Sequence, residues 1–398
     1  MNRMLVSDRP GALALLGLMW FLPVLVASAK DATDAWPGEW TFNGFLSQGY
    51  SLSNTNRFNS SNQQGGSFDL REAAVNTRWQ VNDRLSMAAQ LLYRDVPVAN
   101  DDGVRLDYGF IDYSQAAVSG NQNYGVTIGR FKNPFGFFNE TRDVPFTRPG
   151  VLLPQSLYTE RGRPFAMASQ GVLAHADFFT DTGTLALKAS FGEPIPGGAS
   201  LEYILFGNDL SGQFEPDKAV TAQVRYDGAG STEGWSAALS YLYYSYDFSR
   251  PRSLGRDAFN FSFRVMAASL QYSTPDWRIT SEAGYGQAFD NIDRFSAYLQ
   301  GAYRLSPTLE SFLRYDLMIV DVEDRWGHEY ERQGRGPAHN RYAKDLTFGI
   351  NWDLSPDLTV RAEWHHVEGT GWLSPAEANL RETDRRWNLG MLELSFRF

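Results

Sequence analysis

The sequence predicts an all-β fold, a transmembrane antiparallel β-barrel of about 16 strands with a long third loop that folds inward. Two observations support this prediction. From Trp40 onward, apolar and polar residues alternate with a period of two in segments of about ten to fourteen residues, the length of a tilted membrane strand. The chain is also 43% hydrophobic with a mean hydropathy of only -0.37, because polar residues interrupt the apolar ones almost everywhere.

The alternation is clearest near the C-terminus. There an apolar row of Leu358, Val360, Ala362 and Trp364 alternates with a polar row of Thr359, Arg361, Glu363 and His365. A strand with lipid on one face and water on the other has this pattern. The whole chain predicts strands near 40–52, 68–81, 84–95, 104–115, 122–132, 169–181, 183–193, 217–227, 234–247, 258–273, 276–289, 292–305, 308–321, 342–354, 357–370 and 384–398.

Short and long connections alternate between these strands. The short ones are built from turn-forming residues, as in Asn82-Asp83 and Ser355-Pro356-Asp357. The long ones span residues 53–67, 133–168, 194–216, 321–341 and 371–383. Outer-membrane barrels have short periplasmic turns and longer extracellular loops, and an even strand number places both chain ends on the periplasmic side.

Residues 1–29 predict a signal peptide. Arg3 and Arg9 precede an apolar run over residues 11–26, and residues 27–29 read Ala-Ser-Ala, an A-x-A cleavage site. A membrane anchor is the alternative, but the run is shorter than the roughly 20 residues that a spanning helix needs, and Pro23 interrupts it. We therefore expect Sec-type export to the outer membrane with cleavage near Ala29, a short lead over residues 30–39 and a barrel over residues 40–398.

Composition and missing motifs argue against several classes of function. The chain has no cysteine, which excludes disulfides and cysteine metal sites, and its net charge of -10 argues against a nucleic-acid partner. His365 and His366 are adjacent and point to opposite faces of one strand, so they cannot share a metal. His175 shares a strand face with Asp177, but GxSxG, HExxH and glycine-rich phosphate motifs are absent. We expect no enzyme activity, no metal and no cofactor.

The chain ends in LELSFRF, which places Phe396 and Phe398 on one face with Leu392 and Leu394. This end resembles the last strand of outer-membrane porins, and the resemblance implies that Phe396 and Phe398 form the signal read by the barrel assembly machinery. The alternative is an ordinary amphipathic edge strand, which a soluble protein would seldom leave unpaired.

The long connection over residues 133–168 has prolines at 134, 145, 149, 154 and 164, which restrict its path, and its apolar content argues against disorder. Gly129, Phe131, Lys132, Pro134, Phe135 and Gly136 resemble the GxFKxPFG segment of the phosphate-selective porin O and P family. The resemblance implies a channel, often trimeric, with a constriction built partly from this loop. The candidate constriction residues are Lys132, Glu140, Arg142, Asp143, Arg148, Glu160, Arg161 and Arg163.

The predicted lumen wall carries both signs of charge. Its leading candidates are Arg225, Arg264, Arg304, Arg314, Asp316, Arg361 and Glu363. Inward positions hold nearly equal numbers of basic and acidic residues, so phosphate specificity does not follow from the charges. Opposed rows of arginine and carboxylate could orient solutes in a transverse field, or could simply pair across strands and brace the wall.

These observations predict an outer-membrane porin that lets small hydrophilic solutes, charged or anionic, diffuse through a water-filled lumen. The expected partners are outer-membrane lipid, the solutes, the barrel assembly machinery and further copies in a homotrimer. The alternative is a closed barrel that acts as a surface binding or adhesion platform.

Overall fold

The computed structural model describes residues 38–58, 65–96, 103–118, 120–163, 167–195, 213–230, 233–249, 259–288, 292–375 and 378–398. In these ranges, sixteen long strands and one short strand form a single antiparallel sheet that closes on itself, so the predicted barrel is confirmed. The predicted signal peptide over residues 1–29 lies outside the described residues, as does most of the lead before residue 40.

The long strands are β1 and β3 to β17, and β2 is a short strand that pairs with the end of β1. Their bounds are β1 Glu39–Ser53, β2 Gly65–Ser67, β3 Arg71–Gln80, β4 Leu85–Asp95, β5 Gly103–Ala116, β6 Gln122–Lys132, β7 Ala168–Thr180, β8 Gly183–Pro194, β9 Gln213–Gly228, β10 Gly234–Ser249, β11 Phe259–Ser273, β12 Trp277–Ala288, β13 Asp293–Ser306, β14 Leu309–Ile319, β15 Tyr342–Ser355, β16 Leu358–Gly369 and β17 Arg386–Arg397.

The barrel closes where the two ends of the chain meet. β1 pairs with β3 on one side and with β17 on the other, in a register that sets Phe45 opposite Arg397. Phe398 continues the ladder, because its N–H donates to Gly44 O at 3.1 Å and its carbonyl accepts from Gly44 N at 3.0 Å. Closure leaves no unpaired strand edge at this seam.

The two faces of the wall differ in polarity as the alternation predicts. On β16 the side chain of Trp364 is 53% exposed on the outer face, whereas Glu363 on the interior face is 4% exposed. Aromatic rings gather near the turn end of the outer face, where Trp40 stacks on Trp79 at 5.0 Å between centroids and Tyr272 contacts Trp277 at 5.5 Å. Such aromatic residues are typical of the edge of a membrane-embedded band.

Within the described ranges, the connections at the end opposite the turns carry only short helices. Helix α1 spans His328–Arg332, and 3-10 turns span Asn139–Thr141, Pro145–Thr147 and Ala338–Arg341. None of the helices in the described ranges is long and apolar enough to cross a membrane.

The predicted place of Arg264 in the lumen wall is wrong. On β11, Phe261, Val265 and Ala267 are buried on the interior face, whereas Arg264 lies on the exposed outer face and donates to Gln287 Oε1. The interior is apolar here because Phe261, Val265 and Ala267 share one hydrophobic cluster with side chains of the connection between β6 and β7. The apolar row of β11 from Phe261 to Ala267 therefore faces the interior. Alternation alone predicts that the polar row, with Arg264, lies on that side.

Candidate functional site

The candidate site is built around residues 133–163, called here segment 133–163. They follow β6 and belong to the third connection at the loop end of the barrel, after those between β1 and β3 and between β4 and β5. The segment begins with a turn at Gly136, whose φ is +57°. Gly136 N donates to Ser240 Oγ of β10 at 3.0 Å, and its carbonyl accepts from Gln223 Nε2 of β9 at 2.9 Å. A Cβ at Gly136 would lie 2.0 Å from Tyr158 Oη, so the turn requires glycine.

Glu282 of β12 is the main acceptor for this part of the segment. Its carboxylate accepts hydrogen bonds from Phe137 N at 2.9 Å and from the Tyr158 hydroxyl at 2.8 Å. Ser269 Oγ at 2.5 Å and the Tyr298 hydroxyl at 2.6 Å, both from the wall, donate to the same group. Four donors on one buried carboxylate hold the segment against β11, β12 and β13.

The middle of the segment is held by backbone hydrogen bonds to carboxylates of the wall. Glu363 of β16 accepts from Val151 N at 3.0 Å and from Leu152 N at 3.1 Å, while Asp316 of β14 accepts from Ser156 N at 3.1 Å. Arg314 donates to Leu152 O at 3.2 Å. These interior-facing side chains are all nearly inaccessible.

His365 lies beside Glu363 in the same wall. Its ring nitrogens contact Asp345 Oδ2 at 2.9 Å and Glu363 Oε2 at 3.2 Å. His366 faces the outer surface and contacts Asn388 Oδ1 at 2.8 Å, so the two histidines point to opposite faces as predicted. No cluster of metal-binding side chains is found within the described ranges.

Ion pairs fix the segment to the strands on either side of the closure seam. Arg148 contacts Glu72 of β3 at 2.5 Å and Glu393 of β17 at 3.4 Å, and Arg361 of β16 contacts Glu393 at 3.4 Å. Because β1 lies between β3 and β17, the Arg148 guanidinium bridges both neighbours of β1. All of these charged groups are buried.

A second set of ion pairs lies at the two ends of the segment. Glu160 contacts Arg94 of β4 at 2.7 Å and Arg142 at 3.3 Å. Burial alone would raise the pKa of Glu160, but the surrounding arginines, Arg94, Arg163 and Arg142, lower it to about 2. Asp143 pairs with both Lys132 and Arg163, and Lys132 also pairs with Asp107 of β5.

The predicted constriction residues therefore lie in different environments. Lys132, Arg142, Asp143, Arg148, Glu160 and Arg163 belong to the buried ion pairs. Glu140 is more open and pairs with Lys188 of β8 at 2.7 Å, with 35% of its side chain exposed. Burial and the neighbouring charge of Arg294 lower the pKa of Arg161 to about 10.

A cavity of about 690 Å³ lies between segment 133–163 and the turn end of the barrel. Its charged lining contains more arginine than carboxylate: Arg148, Arg278, Arg304, Arg361 and Arg397 against Glu310 and Asp353. A neighbouring cavity of about 340 Å³ shares Arg278, Arg304 and Glu310 and adds Asp227, Glu233 and Asp276. The turn end of the interior is thus basic on one side and acidic on the other.

The other predicted wall residues line the interior. Arg304 and Arg361 line the larger cavity, and Arg314, Asp316 and Glu363 hold the segment as described. Arg225 pairs with Asp227 at 2.7 Å and lies 5.3 Å from the centre of the Phe137 ring. Sequence reasoning missed Glu72, Arg94 and Asp345. Each continues an interior row of its strand, so strict alternation extended to the strand ends would have found them.

No protein-family model matches the chain, and a sequence comparison with curated proteins gives no match. Solved outer-membrane structures do match. OprB of Pseudomonas putida has a TM-score of 0.57 at 12% identity, covering 91% of this chain and 94% of that one. An anion-selective porin from Comamonas acidovorans has a TM-score of 0.55 at 11% identity, covering 91% and 100%.

The trimer form of OmpT, an outer-membrane protein of Vibrio cholerae, has a TM-score of 0.54 at 10% identity, covering 91% and 99%. At these identities the similarity shows the fold, which is that of outer-membrane porins. The resemblance of residues 129–136 to the phosphate-selective porin O and P family stays a prediction.

Proposed function

We propose that the chain is an outer-membrane diffusion channel for small hydrophilic solutes, in which segment 133–163 narrows the lumen. The anchoring of the segment to interior-facing side chains around the wall supports this role, because a connection held there reduces the cross-section open to solute. The porin fold is consistent with the same role.

We further propose that charged solutes meet a polarised cavity and that anions are preferred on its basic side. The observation that carries this is the arginine-rich lining of the 690 Å³ cavity. Arg304 is exposed there, and Arg397 lies 4.9 Å from the centre of the Phe146 ring. A row of cations in a confined, low-dielectric space raises the local concentration of anions.

Conductance of the mature protein in a planar bilayer tests both statements. Under a KCl gradient we expect discrete opening steps. We also expect a reversal potential whose sign is that of the chloride equilibrium potential. Complete absence of steps would favour the closed-barrel alternative and contradict a channel. Opening steps with a reversal potential that indicates potassium selectivity would support a channel and contradict the anion preference.

Two variants of the same cavity separate wall charge from non-specific damage. Arg304→Gln should shift the reversal potential toward potassium, whereas Asp353→Asn should shift it toward chloride, because each removes one charge of opposite sign from the lining. Equal shifts in the same direction would show that the cavity charges do not set the selectivity.

We also propose export with removal of residues 1–29, assembly through Phe396 and Phe398, and homotrimers in the membrane. The ladder hydrogen bonds of Phe398 with Gly44 support a role of the C-terminus in closure. Deleting Phe398 should lower the yield of assembled barrel in cells, and cross-linking of intact membranes should give a trimer band. A wild-type yield after deletion of Phe398 would contradict its role in assembly. Cross-linking that gives only monomer would contradict the homotrimer.

A further inference from the structure

A charged row crosses the outer face of the barrel at the loop end of β15, β16 and β17. The strand register sets Lys344 opposite Glu368, and Glu368 opposite Arg386. Arg385, the residue before β17, joins them, because its Nη2 contacts Glu368 Oε1 at 2.6 Å. Three cations thus meet around one carboxylate on the outer surface.

The height of this row matches the boundary of the lipid. Below Lys344, every outward residue of β15 is apolar: Leu346, Phe348, Ile350, Trp352 and Leu354. A strand rises about 3.3 Å per residue and is tilted by about 40° in such barrels. The stretch from Lys344 to Leu354 therefore covers roughly 25 Å along the membrane normal. That is the height of the apolar band of an outer-membrane barrel, so the row lies at headgroup level.

The carboxylate does not use up the cations. Lys344 Nζ and Arg386 Nε lie 3.9 Å and 3.8 Å from Glu368, beyond hydrogen-bonding distance. The side chains of Arg385 and Arg386 are 58% and 69% exposed, so both guanidinium groups remain accessible to a ligand.

Trp326, in the loop between β14 and β15, completes the surface. Trp326 is 40% exposed, lies 4.3 Å from Lys344 Nζ and packs edge-on against Tyr342 at 5.3 Å. These side chains and Arg385 line a cavity of about 380 Å³. Its one carboxylate among the lining residues, Glu331, accepts a hydrogen bond from Ala338 N at 3.3 Å.

We propose that this surface, formed by Lys344, Arg385, Arg386 and Trp326, binds the phosphorylated headgroup of an outer-leaflet lipid. Arginine and lysine supply charge-assisted donors to phosphate oxygens. The apolar rows below the site accept the acyl chains, while Trp326 lies at the interface that tryptophan prefers.

Native mass spectrometry of the mature protein with added bisphosphorylated lipid A tests this site. The double variant Arg385→Gln/Arg386→Gln should bind lipid A roughly 25-fold more weakly, since each cation near a charged membrane surface contributes about fivefold. The matched control is Arg332→Gln/Arg335→Gln, which removes the same charge from the connection between β14 and β15, at residues outside both the charged row and the cavity lining. Its affinity should stay within twofold of wild type.

Two further measurements keep the test decisive. Lipid A without phosphates should lose as much affinity as the double variant, and inorganic phosphate at millimolar concentration should not displace lipid A. For wild type, binding should weaken as KCl rises from 50 to 500 mM, because exposed charges are screened. The salt dependence is measured on wild type, so it tests the proposal even if the double variant fails to fold.

Wild-type binding by the double variant, equal loss in the control, tight binding of dephosphorylated lipid or insensitivity to salt would each overturn the proposal. Displacement by inorganic phosphate would assign the surface to soluble anions and also overturn it. Channel conductance of the double variant should equal that of wild type, so failure here is distinguishable from failure of the proposed channel.

Discussion

Gly136 has a backbone conformation that residues with a Cβ rarely adopt, and it sits directly against Tyr158 and Glu282. We predict that Gly136→Ala costs roughly 1–2 kcal/mol from the left-handed backbone alone. The displaced Tyr158 hydroxyl would also lose Glu282, so segment 133–163 should open more often. Trypsin should then cut the folded barrel within the segment roughly 5–30-fold faster.

Gly301→Ala is the matched control for this substitution. A Cβ at Gly301 meets no atom within 4 Å, and its backbone is ordinary. Its cleavage rate should equal that of wild type. If trypsin cuts the Gly136→Ala variant no faster than wild type, the turn tolerates a side chain.

The charged residues of the segment could be named from the sequence, but which wall residue each of them pairs with could not. Length, prolines and the resemblance singled out Arg148 and Glu160. Their partners Glu72, Arg94 and Glu393 lie on strands far away in the chain. Which interior side chain meets which loop residue depends on strand tilt and on the path of the segment, and alternation contains neither.

At the scale of the element, all sixteen long strands could be predicted because membrane strands carry a period-two pattern and end in turn-forming residues. Which side chains of β11 face the interior could not be predicted. The prediction assumed lipid outside and water inside, whereas the interior near Val265 is filled by apolar side chains of segment 133–163. Where a loop packs against the wall, polarity no longer distinguishes the two faces.

The facing of β11 can be measured directly because the chain has no cysteine. Single cysteines at Met266 and Ala267, labelled with a nitroxide, should differ in collision with oxygen, which concentrates in lipid. Met266 is 53% exposed on the outer face and should be accessible, whereas Ala267 is 1% exposed inside and should not. The reverse order would restore the predicted facing, with Arg264 in the lumen.

Segment 133–163 should also depend on pH through Glu160. Its pKa of about 2 in the folded protein is below the unfolded value of about 4.3, so the folded state keeps the charge while the unfolded segment binds a proton. The stabilisation is therefore complete above about pH 4.3 and is lost as the pH falls through about 2.

Pepsin, which is active in acid, provides the measurement. We expect the segment in the folded barrel to resist cleavage at pH 4 and to be cut at pH 2, after correction with an unfolded substrate. Glu160→Gln should be cut already at pH 4, because Arg94 and Arg142 lose their carboxylate. Equal corrected rates at both pH values for wild type would refute the role of Glu160.

At the scale of the whole molecule, segment 133–163 braces the seam at which the barrel closes. β1 pairs with β3 and β17 along the seam, and the Arg148 guanidinium joins Glu72 of β3 to Glu393 of β17 from the interior. A connection that leaves the wall after β6 thereby links β17 to β3 across the first strand, β1. The closure predicted from the C-terminal sequence thus has a second support, which only the three-dimensional arrangement reveals.

This bracing predicts that Arg148→Met destabilises the whole barrel and not only the segment. Methionine leaves two buried carboxylates with fewer cations, and breaking a buried ion pair costs about 3–5 kcal/mol. The temperature at which the folded band converts to the slower unfolded band on a gel should fall by several degrees. Arg332→Met is the control, because that side chain is 73% exposed and forms a surface ion pair with Glu329, so its loss should cost at most about 1 kcal/mol. If both variants convert at the same temperature as wild type, the ion pairs of Arg148 do not stabilise the seam.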